Sequence, residues 1–184
     1  MEAGNAHLQF GAVDESAFTF IDLEEDLFWG SMAQGIAFGD LSNDYRVADS
    51  DENPDGKVYT IFNSASATID LPKHMFDDYL TYLFYAAGLR DGNYDKSSAG
   101  GITAQCASYP KLHFMFQGNW LSVEPEDYVV DISDSQDGSR CQVLIGESDL
   151  PFISMGLPMF KGYNMVFNDK DAKIGFAPTA NSKK

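Results

Sequence analysis

Along Lys111-Leu112-His113-Phe114-Met115-Phe116-Gln117 apolar and polar residues alternate with period two, which puts Leu112, Phe114 and Phe116 on one face of a strand. Gly118-Asn119 then supplies a turn and Trp120-Leu121-Ser122-Val123 returns, so the stretch predicts a β-hairpin. Similar aromatic or β-branched runs at 17–23, 27–38, 58–62, 128–132, 142–145, 163–168 and 173–176 predict further short strands. The period changes after Asp70-Leu71-Pro72. From Lys73 to Ala87 the apolar residues Met75, Phe76, Tyr79, Leu80, Leu83, Phe84 and Ala87 recur at spacings of three and four, and Gly88 follows as a stop signal. This predicts an amphipathic helix with Asp70 as its cap and Pro72 in its first turn. There is no internal repeat, heptad run or long linker, although 91–101 reads as a Gly/Ser/Asp loop. The expected fold is mainly β, barrel- or sandwich-like, with one clear helix.

Composition narrows the function. A chain of 184 residues with 44% hydrophobic content has the size and the apolar material of one domain. With 12 basic against 28 acidic residues the formal charge is −16, a field that repels phosphate backbones and anionic lipid surfaces. Nucleic acid is therefore excluded as a partner. No apolar run approaches the roughly 18 residues that cross a bilayer, and Met1 to His7 lacks the basic and apolar regions of a secretory leader. The chain reads as soluble, without an address of its own, and either cytosolic or released from a precursor.

Cys106 and Cys141 have no Cys-x-x-Cys neighbour and no histidine at zinc-ligand spacing, which argues against a metal site. They are two buried thiols or one disulfide, and a disulfide closing about 35 residues contributes roughly 3 to 4 kcal/mol in the chain-entropy view. His7, His74 and His113 lie far apart and read as surface or interfacial residues. Asp51-Glu52-Asn53-Pro54-Asp55-Gly56 matches the opening of a calcium loop, but the twelfth position is Phe62, so a solvated hairpin tip is expected. No Gly-x-Ser-x-Gly, phosphate loop or His-Glu-x-x-His occurs, and no cofactor is expected.

A set of ordered landmarks resembles the C-terminal lobe of the pepsin-like aspartic endopeptidases. Gly11-Ala12-Val13-Asp14-Glu15-Ser16 is similar to the turn that opens that lobe, and Phe28-Trp29 to the Tyr-Trp at the start of a long strand. Tyr59-Thr60-Ile61-Phe62-Asn63-Ser64-Ala65-Ser66-Ala67 stands where the family has its catalytic Asp-Thr-Gly segment, and a Pro-headed helix follows. Tyr109-Pro110-Lys111-Leu112-His113-Phe114-Met115-Phe116-Gln117-Gly118 resembles the family hairpin. Ile153-Ser154-Met155-Gly156-Leu157-Pro158-Met159-Phe160 resembles the segment that braces the active-site loop, and 163–168 and 173–178 resemble the closing strands. The resemblance implies a lobe over 7–179, an N-terminal extension at 1–6 and a tail at 180–184. It also implies a Cys106–Cys141 disulfide and a secretory, vacuolar, lysosomal or extracellular location.

The departures bear on activity. Asn63 replaces the aspartate of this lobe, Ala65 the glycine and Ala67 the last serine, while Ser64 and Ser66 keep hydroxyls. A carboxamide cannot ionise, so the shared-proton pair of carboxylates that activates water cannot form. At the brace, Met155 and Gly156 precede Leu157 where the family has aspartate, and Pro158 follows. No Asp-Thr-Gly or Asp-Ser-Gly occurs elsewhere. The expected function is a non-catalytic half that binds protein or peptide and associates with an N-terminal lobe, a second copy or another chain. The alternatives are the C-terminal half of an endopeptidase with weak residual hydrolysis, and a scaffold subunit of a larger assembly.

Overall fold

A computed structural model describes residues 8–24, 28–41, 56–89, 92–97, 100–133 and 139–179. The extension at 1–6, His7, the acidic positions 51–55, parts of the 91–101 loop and the tail at 180–184 lie outside the described residues. A 3-10 turn at Glu15–Ala17, capped by Asp14, leads to β1 (Thr19–Asp22), β2 (Gly30–Phe38), β3 (Val58–Phe62) and β4 (Ile69–Pro72), from which α1 (Lys73–Ala86) continues directly. Then come β5 (Tyr94–Lys96), β6 (Ile102–Gln105), β7 (Leu112–Phe116), β8 (Asn119–Val123), α2 (Pro125–Tyr128), β9 (Val129–Asp131), β10 (Arg140–Val143) and β11 (Ile145–Ser148). The chain closes with β12 (Ile153–Met155), α3 (Leu157–Gly162), β13 (Tyr163–Asn168) and β14 (Lys173–Pro178).

Among the described residues the strands form three sheets. Seven run in the order β11-β4-β12-β3-β2-β7-β8, four in the order β5-β6-β10-β9, and three in the order β1-β14-β13. The fold is thus mainly β, as the alternating runs predict. Phe62 joins the first and last of these sheets, its ring centroid 5.5 Å from that of Phe116 and 5.1 Å from that of Phe176. Helix α1 lays Phe76, Tyr79, Leu80, Leu83 and Phe84 into the core, with Tyr79 edge-on to Phe38 at 4.7 Å. Met75 and Ala87, the flanks of the apolar stripe, are half-buried against it.

The structure corrects several expectations. Phe116 pairs with Asn119, so the hairpin turns at Gln117-Gly118 and not at Gly118-Asn119. Both turn residues have positive φ, 48° and 79°, the geometry whose twist suits a two-residue hairpin. Gln117 is held there by its side chain: Oε1 accepts from Asp22 N and Nε2 donates to Asp22 O, each at 3.0 Å. The run at 142–145 is two strands, because Leu144 leaves the β10 ladder, its N–H donating to Tyr128 O and its carbonyl accepting from Ile69 N. His113 is buried, not superficial: β7 is covered on both faces, and the ring spans from Ser122 Oγ at 2.7 Å to Gly39 O at 2.8 Å. Since a carbonyl only accepts, Nε2 carries the proton toward Gly39 and Nδ1 accepts from the Ser122 hydroxyl in the neutral ring. Burial holds the His113 pKa below its usual 6.5, opposed by the Gly39 hydrogen bond. His74, in contrast, is exposed.

Candidate functional site

The loop after β3 is built by a strand from far along the chain. β12 enters between β3 and β4, parallel to the first and antiparallel to the second, so the two arms of the loop pair with it and not with each other. Its apolar residues Ile153 and Met155 are fully buried. Burial gives this three-residue strand an anchorage that its length alone would not. The end of β12 meets the start of the loop: Asn63 N donates to Met155 O at 2.9 Å. The beginning of α3 meets its far side, where Leu157 N donates to Ser66 O at 2.9 Å.

Gly156 lies between these two contacts. A Cβ at that position would overlap Thr68 O and lie 2.6 Å from Ser66 O, both backbone atoms with no freedom to withdraw. Leu157 stands with its side chain 44% exposed, and Pro158 is buried in the first turn of α3, where no amide donor is needed. The change to Leu157-Pro158 is thus accommodated without losing the Leu157 amide contact. Met155 and Gly156 hold the loop by backbone groups and by lack of bulk.

Within the loop the chain turns tightly. Ser66 N donates to Asn63 O at 3.1 Å, and Ala65 N donates to Asn63 Oδ1, also at 3.1 Å. Asn63 is half-buried, and Ser64 and Ala65 are exposed. Ser64 makes no hydrogen bond among the described residues. Ser66 turns inward: its Oγ is 2.9 Å from Asp70 Oδ2 and 3.0 Å from Thr68 O, and it accepts from Thr68 N at 3.2 Å. Thr68 Oγ1 donates to Asp70 Oδ1 at 2.5 Å. Both carboxylate oxygens of Asp70 therefore accept from hydroxyls of the loop.

That clasp overturns the expectation for Asp70. Asp70 belongs to β4, α1 begins after Pro72, and among the described residues no side chain caps the helix. Strand β4 runs straight into α1, so Asp70 is two residues too early to reach the first free amides. Asp70, Thr68 and the Leu157 amide are the parts of the site that sequence reasoning missed. A signal was present, because Ser66, Thr68 and Asp70 recur with period two and so share one side of an extended segment.

Beside the loop, α3 and β13 present apolar rings. Phe167 is 39% exposed, stacked on Phe160 at 6.4 Å and edge-on to Trp29 at 5.0 Å, and the Trp29 carbonyl accepts from Phe62 N. Away from the loop, Cys106 and Cys141 form a disulfide across 35 positions. They approach Asp131 closely enough to suggest a metal-ligand cluster, but sulfurs bonded to each other do not offer thiolates. No described helix is long and apolar enough to cross a membrane.

As an arrangement of groups, the loop offers a carboxamide, an exposed hydroxyl and backbone amides, with the Asp70 carboxylate turned inward onto Ser66 and Thr68. It can donate and accept hydrogen bonds, and Asn63 cannot act as a general base. No individual curated protein matches the chain. Residues 1–179 match the sequence profile described as eukaryotic aspartyl protease. The chain, with its mainly β fold and its strand-threaded loop, belongs to the eukaryotic aspartyl protease family.

Proposed function

We propose that the chain is a C-terminal-type lobe, over residues 7–179, that has lost peptide hydrolysis and serves as a protein- or peptide-binding half joined to a partner. The observation that carries this reading is Asn63. It occupies the loop braced by Met155 and Gly156, its own side-chain oxygen is taken by the Ala65 amide, and it supplies no ionisable group. Asp70 does not stand in for it, because both its oxygens are occupied by Ser66 and Thr68. A partner is supported by the exposed Leu157 and Phe167 next to the loop and by the three-stranded sheet, where among the described residues no strand pairs with the outer side of β13, while that of β1 is closed only at Asp22 by Gln117. The disulfide and the family favour an oxidising secretory, vacuolar, lysosomal or extracellular setting.

The test is hydrolysis of a denatured protein substrate at acid pH, with and without a transition-state mimic of aspartic proteases, on freshly purified chain together with whatever chains co-purify. We expect no mimic-sensitive cleavage and a native mass above that of the single chain. Mimic-sensitive cleavage would replace this reading with that of a weak endopeptidase half.

A further inference from the structure

Asparagine loses its side-chain amide when the next backbone nitrogen reaches its Cγ, and a bulky following residue shields that nitrogen. Of the nine asparagines in the chain, only Asn63 and Asn181 precede serine, and none precedes glycine. The turn adds three features at Asn63. The Ala65 N–H on Asn63 Oδ1, at 3.1 Å, keeps the carboxamide folded back beside the Asn63–Ser64 peptide and polarises the carbonyl that would be attacked. The Ser64 N–H is the one amide of the turn with no partner among the described residues, since those of Asn63, Ala65 and Ser66 are all engaged. Ser64 and Ala65 are exposed, so water can take a proton and ammonia can leave.

We propose that Asn63 is a site of spontaneous deamidation, which places a carboxylate in the loop where the chain encodes a carboxamide. The Ser64 nitrogen gives its proton to hydroxide and bonds to Asn63 Cγ. The negative charge that develops on Oδ1 is met by the Ala65 N–H, a donor already aimed at that atom. Collapse breaks the Cγ–Nδ2 bond as water protonates the leaving nitrogen, which releases ammonia, returns the hydroxide and leaves a five-membered cyclic imide. Water then opens the ring. Cleavage of the Cγ–N bond gives aspartate, and cleavage of the bond from the backbone carbonyl carbon gives isoaspartate, whose main chain is one methylene longer. One water is consumed and one ammonia released, with no change of oxidation state. The aspartyl product restores an ionisable group at position 63, and the isoaspartyl product lengthens the chain between the contacts to Met155 and Ser66.

The conversion is a property of the loop and does not depend on whether the cleft binds a peptide. It is tested by ageing the intact protein at neutral and mildly alkaline pH and following the tryptic peptide 58–73, in which Asn63 is the one side-chain amide. A synthetic peptide of the same sequence is aged in parallel. We expect a mass gain of about one dalton in that peptide, resolved into aspartyl and isoaspartyl isomers, at a rate within about tenfold of the free peptide, because Ser64 is exposed and its amide has no partner among the described residues although the rest of the loop is held. Ser64→Val should slow the gain and Asn63→Gln should abolish it. Protection of Asn63 well beyond tenfold in the folded chain, or an unchanged mass gain in Asn63→Gln, would overturn the proposal.

Discussion

A methyl group at position 156 has nowhere to go, because the atoms it would meet, Thr68 O and Ser66 O, belong to the backbone of the loop itself. Gly156→Ala is expected to push the loop off α3 and to lower stability by roughly 1–3 kcal/mol, the range for overpacking a tight site. A drop in the urea midpoint at unchanged slope would report it. The Tyr79 hydroxyl gives the opposite expectation. It is buried with no partner among the described residues, and burial pushes its pKa far upward. Tyr79→Phe should therefore raise stability by about 1 kcal/mol, and a loss in the same titration would mean that the hydroxyl is bonded in solution. At this scale the sequence is most legible where a residue type is constrained by one short contact. Asn63 stands out by its place among ordered landmarks, and Gly156 by its survival beside two changed neighbours. Asp70 was misread because a carboxylate before a proline-headed helix fits two local roles, and the choice between them is made by the extended path of β4.

Helix α1 ends as its sequence predicts. Gly88 has φ 75°, its N–H donates to Tyr85 O, and Leu89 N donates to Phe84 O, closing a Schellman motif. Nothing lies within 4 Å of a Cβ at Gly88, so Gly88→Ala isolates the backbone penalty, expected at about 1 kcal/mol and readable as a fall in thermal midpoint. The end of β2 is tied to the β7–β8 hairpin by His113, and this tie carries a pH dependence. Its folded pKa lies below 6.5, so above that value both states are neutral and the ring adds no slope. As the pH falls through about 6.5 the unfolded chain takes up a proton that the folded chain resists, and stability is lost until the folded pKa is passed. Lys111 nearby reinforces the shift, whereas Glu124 and Asp40 oppose it. Urea midpoints should decline between neutrality and about pH 5.5 more steeply in the natural chain than in His113→Gln. Elements with a clean period were readable: β3 and β13 occupy the stretches their patterns mark, and α1 ends within a residue of its pattern. Strands β4, β11 and β12 were not, because their places are set by partners elsewhere in the chain.

Across the whole molecule, the disulfide links the strand pair β6 and β10 at one end, closing 35 positions. Replacing both cysteines by serine should lower stability by roughly 3–4 kcal/mol in the chain-entropy view, seen as a fall in thermal midpoint that reductant reproduces in the natural chain. The sheets owe their arrangement to long-range pairings such as β1 with β14, from Thr19 against Phe176 to Asp22 against Lys173, which no local pattern announces. Because β12 fills the slot between β3 and β4, the loop at Asn63 has no frame until residues 153–155 exist. On the ribosome that slot is therefore vacant from the making of β4 until β12 emerges. During that interval the nascent chain carries an unfilled strand position, open to chaperones or to β12 of a neighbouring nascent copy, and only the sheet closed by β13 and β14 is made later than the site.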